Sequence, residues 1–372
     1  MDIQTVFELL RCAVDDHYPQ PDLTGVDWEE LYTFSKQQAI TGVMFDMLMR
    51  MGGKETGIDR KLFLRWFKQY DRIQERNKLV NKHAAQIVRL FEEKGFRCCL
   101  LKGQGNAVMY PNPSARVSGD IDLLLIPPHL SALPKDLDKR RNVVLSLVRK
   151  KFPKIPYRYH HVDFPIIKGL PIELHFVPCL MNNPRYNRRI QQWLGERAEH
   201  QYEYRIELAE SDGSVPVPMQ EYNIVFQMAH MMHHYFDEGI GLRQMMDYYY
   251  LLQQTAKDEL EIKKEELRKT LKYLNLYNFA GAVMYVMREA FGMPEEWMIV
   301  PIDEHRGETL MAEILRGGNF GHYSGLTKHG TAAKYFMKHW RNMHLASEYP
   351  VEALSEPIFR TWHFFWRLMN RK

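Results

Sequence analysis

The sequence predicts an α+β protein, with a small mixed β-sheet flanked by helices on both sides along the chain. Three observations support this. Apolar residues recur at helical spacing up to residue 95, short apolar runs bounded by glycine and proline follow, and helical spacing returns from about residue 218. We therefore divide the chain into an N-terminal helical region (1–95), a central α/β core (96–217) and a C-terminal helical region (218–372).

The N-terminal region contains two helical patterns. The first spans 28–51 and ends where Gly52 and Gly53 follow its last apolar residue. The second runs from about 59 to 94, and Gly95 is expected to close it because glycine adopts the left-handed conformation that commonly ends a helix.

The central and C-terminal elements follow from the same reasoning. The run at 168–171 separates two apolar stretches and indicates a hairpin. The expected strands are 96–101, 121–126, 157–167 and 172–177, with a helix at 140–152, and the later helices are 221–255, 258–276, 278–291, 304–315, 332–344 and 358–370.

Composition excludes several classes of protein. With 45% hydrophobic and 26% charged residues, the 372-residue chain is unlike disordered or fibrous proteins. Lys and Arg exceed Asp and Glu by 50 to 46, and this small excess does not favour a nucleic-acid partner.

A cytoplasmic location is expected from three further features. The N-terminus lacks the basic and apolar regions of a secretory signal, and no stretch reaches the ~18 apolar residues of a membrane span. The cysteines show no C-x-x-C pairing and are expected to be small buried thiols. They are Cys12, Cys98, Cys99 and Cys179.

Two acids open the apolar strand at 121–126. Asp120 and Asp122 share one face because side chains alternate along a strand, and two adjacent carboxylates repel unless a cation lies between them. Mg²⁺ (or Mn²⁺) suits them, since it takes oxygen ligands and leaves positions for phosphate. Glu173, at the start of another apolar strand, is the candidate for a third carboxylate.

The turn after the first strand could hold phosphate. Lys102 and Gly103 lead into an expected short helix at 104–110, a strand–glycine–helix arrangement that presents backbone N–H groups. Lys102 and Arg116 would add positive charge, with Arg116 able to bind phosphate with two nitrogens. An Asp-x-Asp pair alone is often only a solvated face. Here it precedes a run of four apolar residues, where an uncompensated acid pair would be costly.

The run LLKGQGNAVMYPNPSARVSGDIDLLL resembles the nucleotidyltransferase superfamily that includes DNA polymerase β. In particular it is similar to uncharacterised bacterial proteins with the pattern LKG…R..GDIDLL. The resemblance implies that Asp120, Asp122 and Glu173 bind the metal. It also implies that the turn glycine is Gly103, and that Gly119 lies on the nucleotide side with Lys102 and Arg116. The chain differs in having Lys102-Gly103 where characterised enzymes have Gly-Ser or Gly-Gly.

Several histidines and one arginine are possible substrate contacts. Strand alternation places His175 on the face of Glu173, and it places one of His160 and His161 there without saying which. On the helix from 221, three histidines at i, i+3 and i+4 could bind Zn²⁺ or simply pack in the core. Arg243 could face the cleft or pair with Asp247 on its own helix. The candidate substrate contacts are His161, His175, His230 and Arg243, and the helical histidines are His230, His233 and His234.

The predicted reaction is the transfer of a nucleoside monophosphate from a nucleoside triphosphate (NTP) to an acceptor hydroxyl, with release of pyrophosphate. The acceptor is expected to be a small molecule, with no membrane partner. Two alternatives remain open: a catalytically weak NTP-binding regulatory module, and another metal-dependent phosphoryl-transfer enzyme.

Overall fold

The computed structural model describes residues 2–257, 263–319 and 331–370 and confirms the α+β class. The predicted helix at 28–51 is two helices, because Ala39 adopts a φ of +55° between them. The long helix ends at Glu92, and Gly95, with a φ of +77°, closes the turn that follows it, close to the predicted end. The N-terminal helices are α1 (Ile3–Val14), α2 (Trp28–Gln37), α3 (Thr41–Arg50) and α4 (Arg60–Glu92).

The central sheet has four strands in the order β1-β2-β4-β3. Strands β2 and β4 are parallel, whereas β1 and β3 pair with them antiparallel at the two edges. The strand expected at 157–167 is shorter than predicted, while the hairpin partner at 172–177 is found in place. The strands are β1 (Arg97–Leu101), β2 (Ile121–Ile126), β3 (His161–Asp163) and β4 (Ile172–His175).

Two helices and a small second sheet complete the central region. Helix α5 follows β1 directly, and α6 connects β2 to β3. The second sheet has two antiparallel strands, β5 and β6. These elements are α5 (Gly103–Ala107), α6 (Leu137–Arg149), α7 (Pro184–Gln201), β5 (Arg205–Glu207) and β6 (Ser214–Pro216).

The C-terminal region is helical, as predicted. The helix expected at 221–255 is two helices with a break at 238–241, and part of the helix expected at 258–276 lies outside the described residues. No helix among the described residues is both long enough and apolar enough to cross a membrane. The helices are α8 (Gln220–Asp237), α9 (Leu242–Lys257), α10 (Lys264–Tyr273), α11 (Tyr277–Phe291), α12 (Glu304–Gly317), α13 (Thr331–His344) and α14 (Pro350–Met369).

The two faces of β2 pack into different hydrophobic clusters. Leu123 and Leu125 join a cluster that includes residues of α4 and α6, whereas Leu124 joins a larger cluster built mainly from N- and C-terminal helices. Asp122 shares the face of Leu124 because of the two-residue alternation, so this acid points toward the larger cluster. All four cysteines are buried free thiols, as expected.

Glu352 connects α14 to the core by a buried hydrogen bond, and its carboxyl group should make the free energy of unfolding depend on pH. It is 1% exposed, and its Oε2 accepts a hydrogen bond from the backbone N–H of Asn182 at 3.2 Å. Burial raises the pKa of Glu352 to about 7, above the usual 4.5. The folded protein therefore holds this proton more tightly than the unfolded chain does. Burying the ionised carboxylate lowers the free energy of unfolding. This loss is absent below about pH 4.5, grows as the pH rises to about 7, and stays constant above that pH.

We compare the free energy of unfolding of Glu352→Gln with that of the natural protein. The difference should shift in favour of the variant as the pH rises from 5 to 8, by at most about 3 kcal/mol. Urea unfolding at both pH values measures this gain. The matched control is Glu308→Gln, which removes a carboxylate from an exposed position on α12 instead of from the core. An equal effect of Glu352→Gln at both pH values would contradict the role of burial.

Candidate active site

Three carboxylates converge at the start of β2. In the parallel pairing of β2 with β4, Asp122 lies opposite Glu173, and Asp120 immediately precedes β2. One ligand oxygen from each acid lies within 4.8 Å of the other two. The structure therefore brings together the three acids that the sequence singled out. Clustered carboxylate oxygens of this kind fit Mg²⁺ or Mn²⁺.

Two cations compensate the buried Asp122. Its Oδ2 lies 3.2 Å from the Nζ of Lys102, and its Oδ1 accepts a hydrogen bond from the Nε2 of His175 at 2.9 Å. Although burial opposes it, these partners hold the pKa of Asp122 well below its usual value. Burial also disfavours the charged imidazole of His175, but the bonds to Asp122 and Glu173 raise its pKa to about 9. The carboxylate and the imidazolium thus stabilise each other.

Asp120 has the opposite electrostatic environment. The negative charge of Asp122 and then burial raise the pKa of Asp120, and Lys102 only partly offsets them. Burial disfavours the charge of Lys102 as well, yet the carboxylates of Asp122, Asp120 and Glu173 raise its pKa. The single ammonium group of Lys102 therefore interacts with all three carboxylates.

The turn that carries Lys102 has an unusual backbone. Lys102 adopts a φ of +49° and Gly103 a φ of +48°. A side chain is disfavoured at positive φ, at a cost on the order of 1–3 kcal/mol when the surroundings enforce it. The following helix, α5, has five residues and is shorter than the expected 104–110. Lys102 therefore has a backbone conformation that glycine adopts without strain.

Arg116 is engaged by a partner that the sequence did not indicate. Its Nε and Nη2 donate to the two oxygens of Asp247 on α9, at 2.7 and 2.8 Å, and Tyr110 donates its hydroxyl to the same carboxylate at 2.6 Å. Arg116 and Asp247 are both buried. The guanidinium nitrogens that were expected to bind phosphate thus bind a carboxylate of the protein instead. Arg116 nevertheless lines the cavity described below. Its role in binding phosphate stays a prediction.

Arg243 faces the cleft and also interacts electrostatically with Asp247, so the two alternatives for this residue do not exclude each other. It donates from Nη1 to the backbone oxygen of Val117 at 3.1 Å, and the same Nη1 lies 3.8 Å from the place of a Cβ on Gly119. The arginine therefore braces the segment that leads into Asp120, and it lines the cavity.

The structure shows which histidines approach the acids. His161 lies opposite His175 in the antiparallel pairing of β3 with β4, and its Nδ1 is 3.1 Å from Oε2 of Glu173. Burial and then the nearby His175 lower the pKa of His161 to about 3. From α8, His230 places its Nε2 3.1 Å from the Nζ of Lys102.

The three helical histidines do not form a metal site of their own. Among the described residues, two groups could hold a metal ion, and neither includes a histidine of α8. Burial lowers the pKa of all three helical histidines and is the largest cause of the shift, which brings the pKa of His234 to about 3. They are therefore neutral lining groups of the cleft: His230, His233 and His234.

These side chains line a cavity of about 690 Å³ between the sheet and the C-terminal helices. All the candidate residues named from the sequence line it, together with groups that sequence reasoning missed. Arg158 precedes β3, and Lys338 and Arg360 both approach Asp237, at 3.0 and 3.2 Å. Local patterns could not place Lys338 and Arg360 at the cavity, because Asp237 lies 101 and 123 positions before them in the chain. The contribution of α13 and α14 consists of Lys338, Glu356, Phe359, Arg360, His363 and Arg367.

Comparison with known proteins places this site in a family. No curated protein matches the chain. One solved structure, an antigenic nucleotidyltransferase-like protein from Paracoccidioides brasiliensis, matches at 12% identity over 53% of this chain and 92% of its own, with a TM-score of 0.28. A score this low carries no argument. The family model described as uncharacterised nucleotidyltransferase matches residues 24–292, which include the three acids and the Lys102 turn. The chain belongs to this uncharacterised nucleotidyltransferase family.

Proposed function

We propose that the protein is a metal-dependent nucleotidyltransferase that transfers a nucleoside monophosphate from an NTP to a hydroxyl of a small acceptor, releasing pyrophosphate. The observation that carries this proposal is the convergence of Asp120, Asp122 and Glu173 within 4.8 Å at one wall of a large cavity. Membership of the family supports it.

Each residue has a role in this proposal. Asp120, Asp122 and Glu173 hold Mg²⁺ or Mn²⁺, which supplies positive charge against the phosphate oxygens. Lys102 and Arg243 bring further positive charge to the cavity, and the backbone at Gly103 and Gly119 allows phosphate to approach. Arg116 and Lys102 are already paired, Arg116 with Asp247 and Lys102 with Asp122, so phosphate binds either cation only in competition with a carboxylate.

A small acceptor agrees with the shape and charge of the site. A cavity of about 690 Å³ is in the range that accommodates small organic ligands. The net charge of only +4 is small for a protein that must hold a long nucleic acid.

One observation favours a second candidate function, a weakly catalytic NTP-binding module. Lys102 already pairs with Asp122, in a turn where characterised enzymes have Gly-Ser or Gly-Gly. A metal ion must compete with this ammonium group for the carboxylate. Binding of NTP without pyrophosphate release would be the signature of that module.

The experiment is a labelling assay with the full-length protein. Each NTP labelled at its α-phosphate is incubated with the protein, Mg²⁺ and a cell extract, and transfer of label and pyrophosphate release are both measured. We expect one or more NTPs to label a small product in the natural protein. The variant with Asp120→Asn and Asp122→Asn should leave only background.

The assay also separates the alternatives. If the double variant labelled the product as strongly as the natural protein does, the proposal would be wrong. Transfer of label from the γ-phosphate alone would indicate a kinase-like enzyme, and bound NTP without any product would indicate the weak module.

A further inference from the structure

We propose that His161, Glu173 and His175 form a second metal site, distinct in chemistry from the three-acid site and selective for a late first-row divalent ion such as Zn²⁺ over Mg²⁺. One donor atom from each of the three side chains lies within 4.8 Å of the other two. Glu173 belongs to both groups. The inference does not depend on nucleotide transfer, because it concerns binding alone.

The sheet itself creates this convergence. His161 and His175 are direct partners in the antiparallel pairing of β3 with β4. Glu173 precedes His175 by two positions on β4 and therefore projects from the same face. All three donors thus lie on paired strands, which hold them more rigidly than a loop would.

The distances match the dimensions of a small ion. Zn²⁺ binds imidazole nitrogen and carboxylate oxygen at about 2.0–2.2 Å in a tetrahedron, so neighbouring donor atoms lie roughly 3.3–3.5 Å apart. The Nδ1 of His161 lies 3.1 Å from Oε2 of Glu173, and the Nε2 of His175 lies 3.3 Å from the same oxygen. Two edges of the donor triangle are therefore close to that spacing.

Two features of the histidines agree with metal binding. His161 is 2% exposed, and its Nδ1, although 3.1 Å from Oε2 of Glu173, is not aligned with that oxygen for a hydrogen bond. Its Nε2 makes no hydrogen bond either within the part of the chain that the structure describes. Such a buried polar group needs an explanation, and a ligand supplies one. The Nδ1 of His175 lies 3.3 Å from the backbone oxygen of Val177 and can donate to it, which leaves Nε2 as the atom that faces the acids. A divalent ion bound there would replace the proton that Nε2 shares with Asp122 and Glu173, so metal binding releases that proton. Metal-binding histidines usually hold their second nitrogen in this way.

The donor types set the selectivity. Mg²⁺ prefers oxygen ligands and near-octahedral geometry, whereas imidazole suits Zn²⁺, Co²⁺ and related ions. Two histidines and one carboxylate leave room for water or a substrate oxygen in the remaining positions. The cavity that opens beside these residues can supply such an oxygen.

The test uses Co²⁺ as a coloured probe on the full-length protein. We expect visible absorption bands and calorimetric binding that millimolar Mg²⁺ does not displace. His161→Gln should weaken Co²⁺ binding by at least about 10-fold. The control is His363→Gln, which changes a histidine of the same cavity outside the donor group and should leave Co²⁺ binding unchanged.

Two further measurements keep the inference falsifiable. X-ray absorption on the Co²⁺-loaded natural protein should show imidazole scattering, and this measurement tests the site even where a variant fails to fold. Asp120→Asn should keep Co²⁺ binding whether or not the protein turns over NTP. Full displacement of Co²⁺ by Mg²⁺, absence of imidazole scattering, or unchanged binding in folded His161→Gln would overturn the second site.

Discussion

Asp120→Asn and Asp122→Asn should each lower NTP turnover at least about 100-fold, equivalent to ~3 kcal/mol, yet change stability in opposite directions. Asp122 is buried between Lys102 and His175, so its neutralisation takes one shared carboxylate away from two cations at once. In metal-chelated buffer at pH 7 we expect a loss of about 3 kcal/mol for Asp122→Asn. Asp120 is repelled by Asp122, so Asp120→Asn should raise the melting temperature.

Thermal melts with and without Mg²⁺ check this prediction. Mg²⁺ should stabilise the natural protein by mass action and stabilise both variants less. The matched control is Asp163→Asn, which changes an acid of β3 outside the three-carboxylate group and should keep its turnover within about twofold. A lower melting temperature for Asp120→Asn in chelated buffer would contradict the electrostatic arrangement of the acids.

Arg116→Met should be among the most destabilising single substitutions in the protein. It removes both guanidinium donors from the buried Asp247 carboxylate and leaves the hydroxyl of Tyr110 and the nearby charge of Arg243. Breaking one side of a buried ion pair typically costs 3–5 kcal/mol, and we expect a loss in this range from urea unfolding. Adding Asp247→Asn removes the carboxylate charge and keeps an acceptor for Tyr110, so the double variant should recover at least half of the loss.

A more exposed ion pair provides the comparison for this cycle. Arg205 pairs with Glu92 at 2.7 Å, and both side chains are about one-third exposed. Arg205→Met should cost less than about 1 kcal/mol in the same assay. A similar loss for Arg116→Met and Arg205→Met would mean that burial contributes little to the Arg116–Asp247 pair.

The sequence was sufficient to locate the central sheet and the three acids, although it overestimated β3 and did not indicate the small second sheet of β5 and β6. Alternation along a strand put Asp120 and Asp122 on one face, and an isolated acid in an apolar strand identified Glu173. These inferences succeeded because strand periodicity reports directly on which side chains share a face. The same rule placed His175 correctly beside Glu173.

Partners distant in the chain were beyond such reasoning. Arg116 and Asp247 are separated by 131 positions, and nothing local distinguishes an arginine that meets phosphate from one that meets a buried carboxylate. The choice between His160 and His161 also needed the strand register, which a short irregular strand does not reveal. The sequence also did not indicate that α14 lines the cavity. The apolar spacing of a helix shows which of its faces is buried, but not which part of the protein that face packs against.

The Lys102 ammonium makes cation binding at the three acids an exchange reaction. Any divalent ion that binds Asp122 displaces a charge already 3.2 Å from that carboxylate, so its measured affinity is the difference between two cation–carboxylate interactions. The released ammonium is then free to bind a phosphate oxygen. Metal and nucleotide should therefore bind with positive coupling, each raising the affinity of the other by the same factor. The strained lysine turn thereby becomes a thermodynamic link between the two ligands.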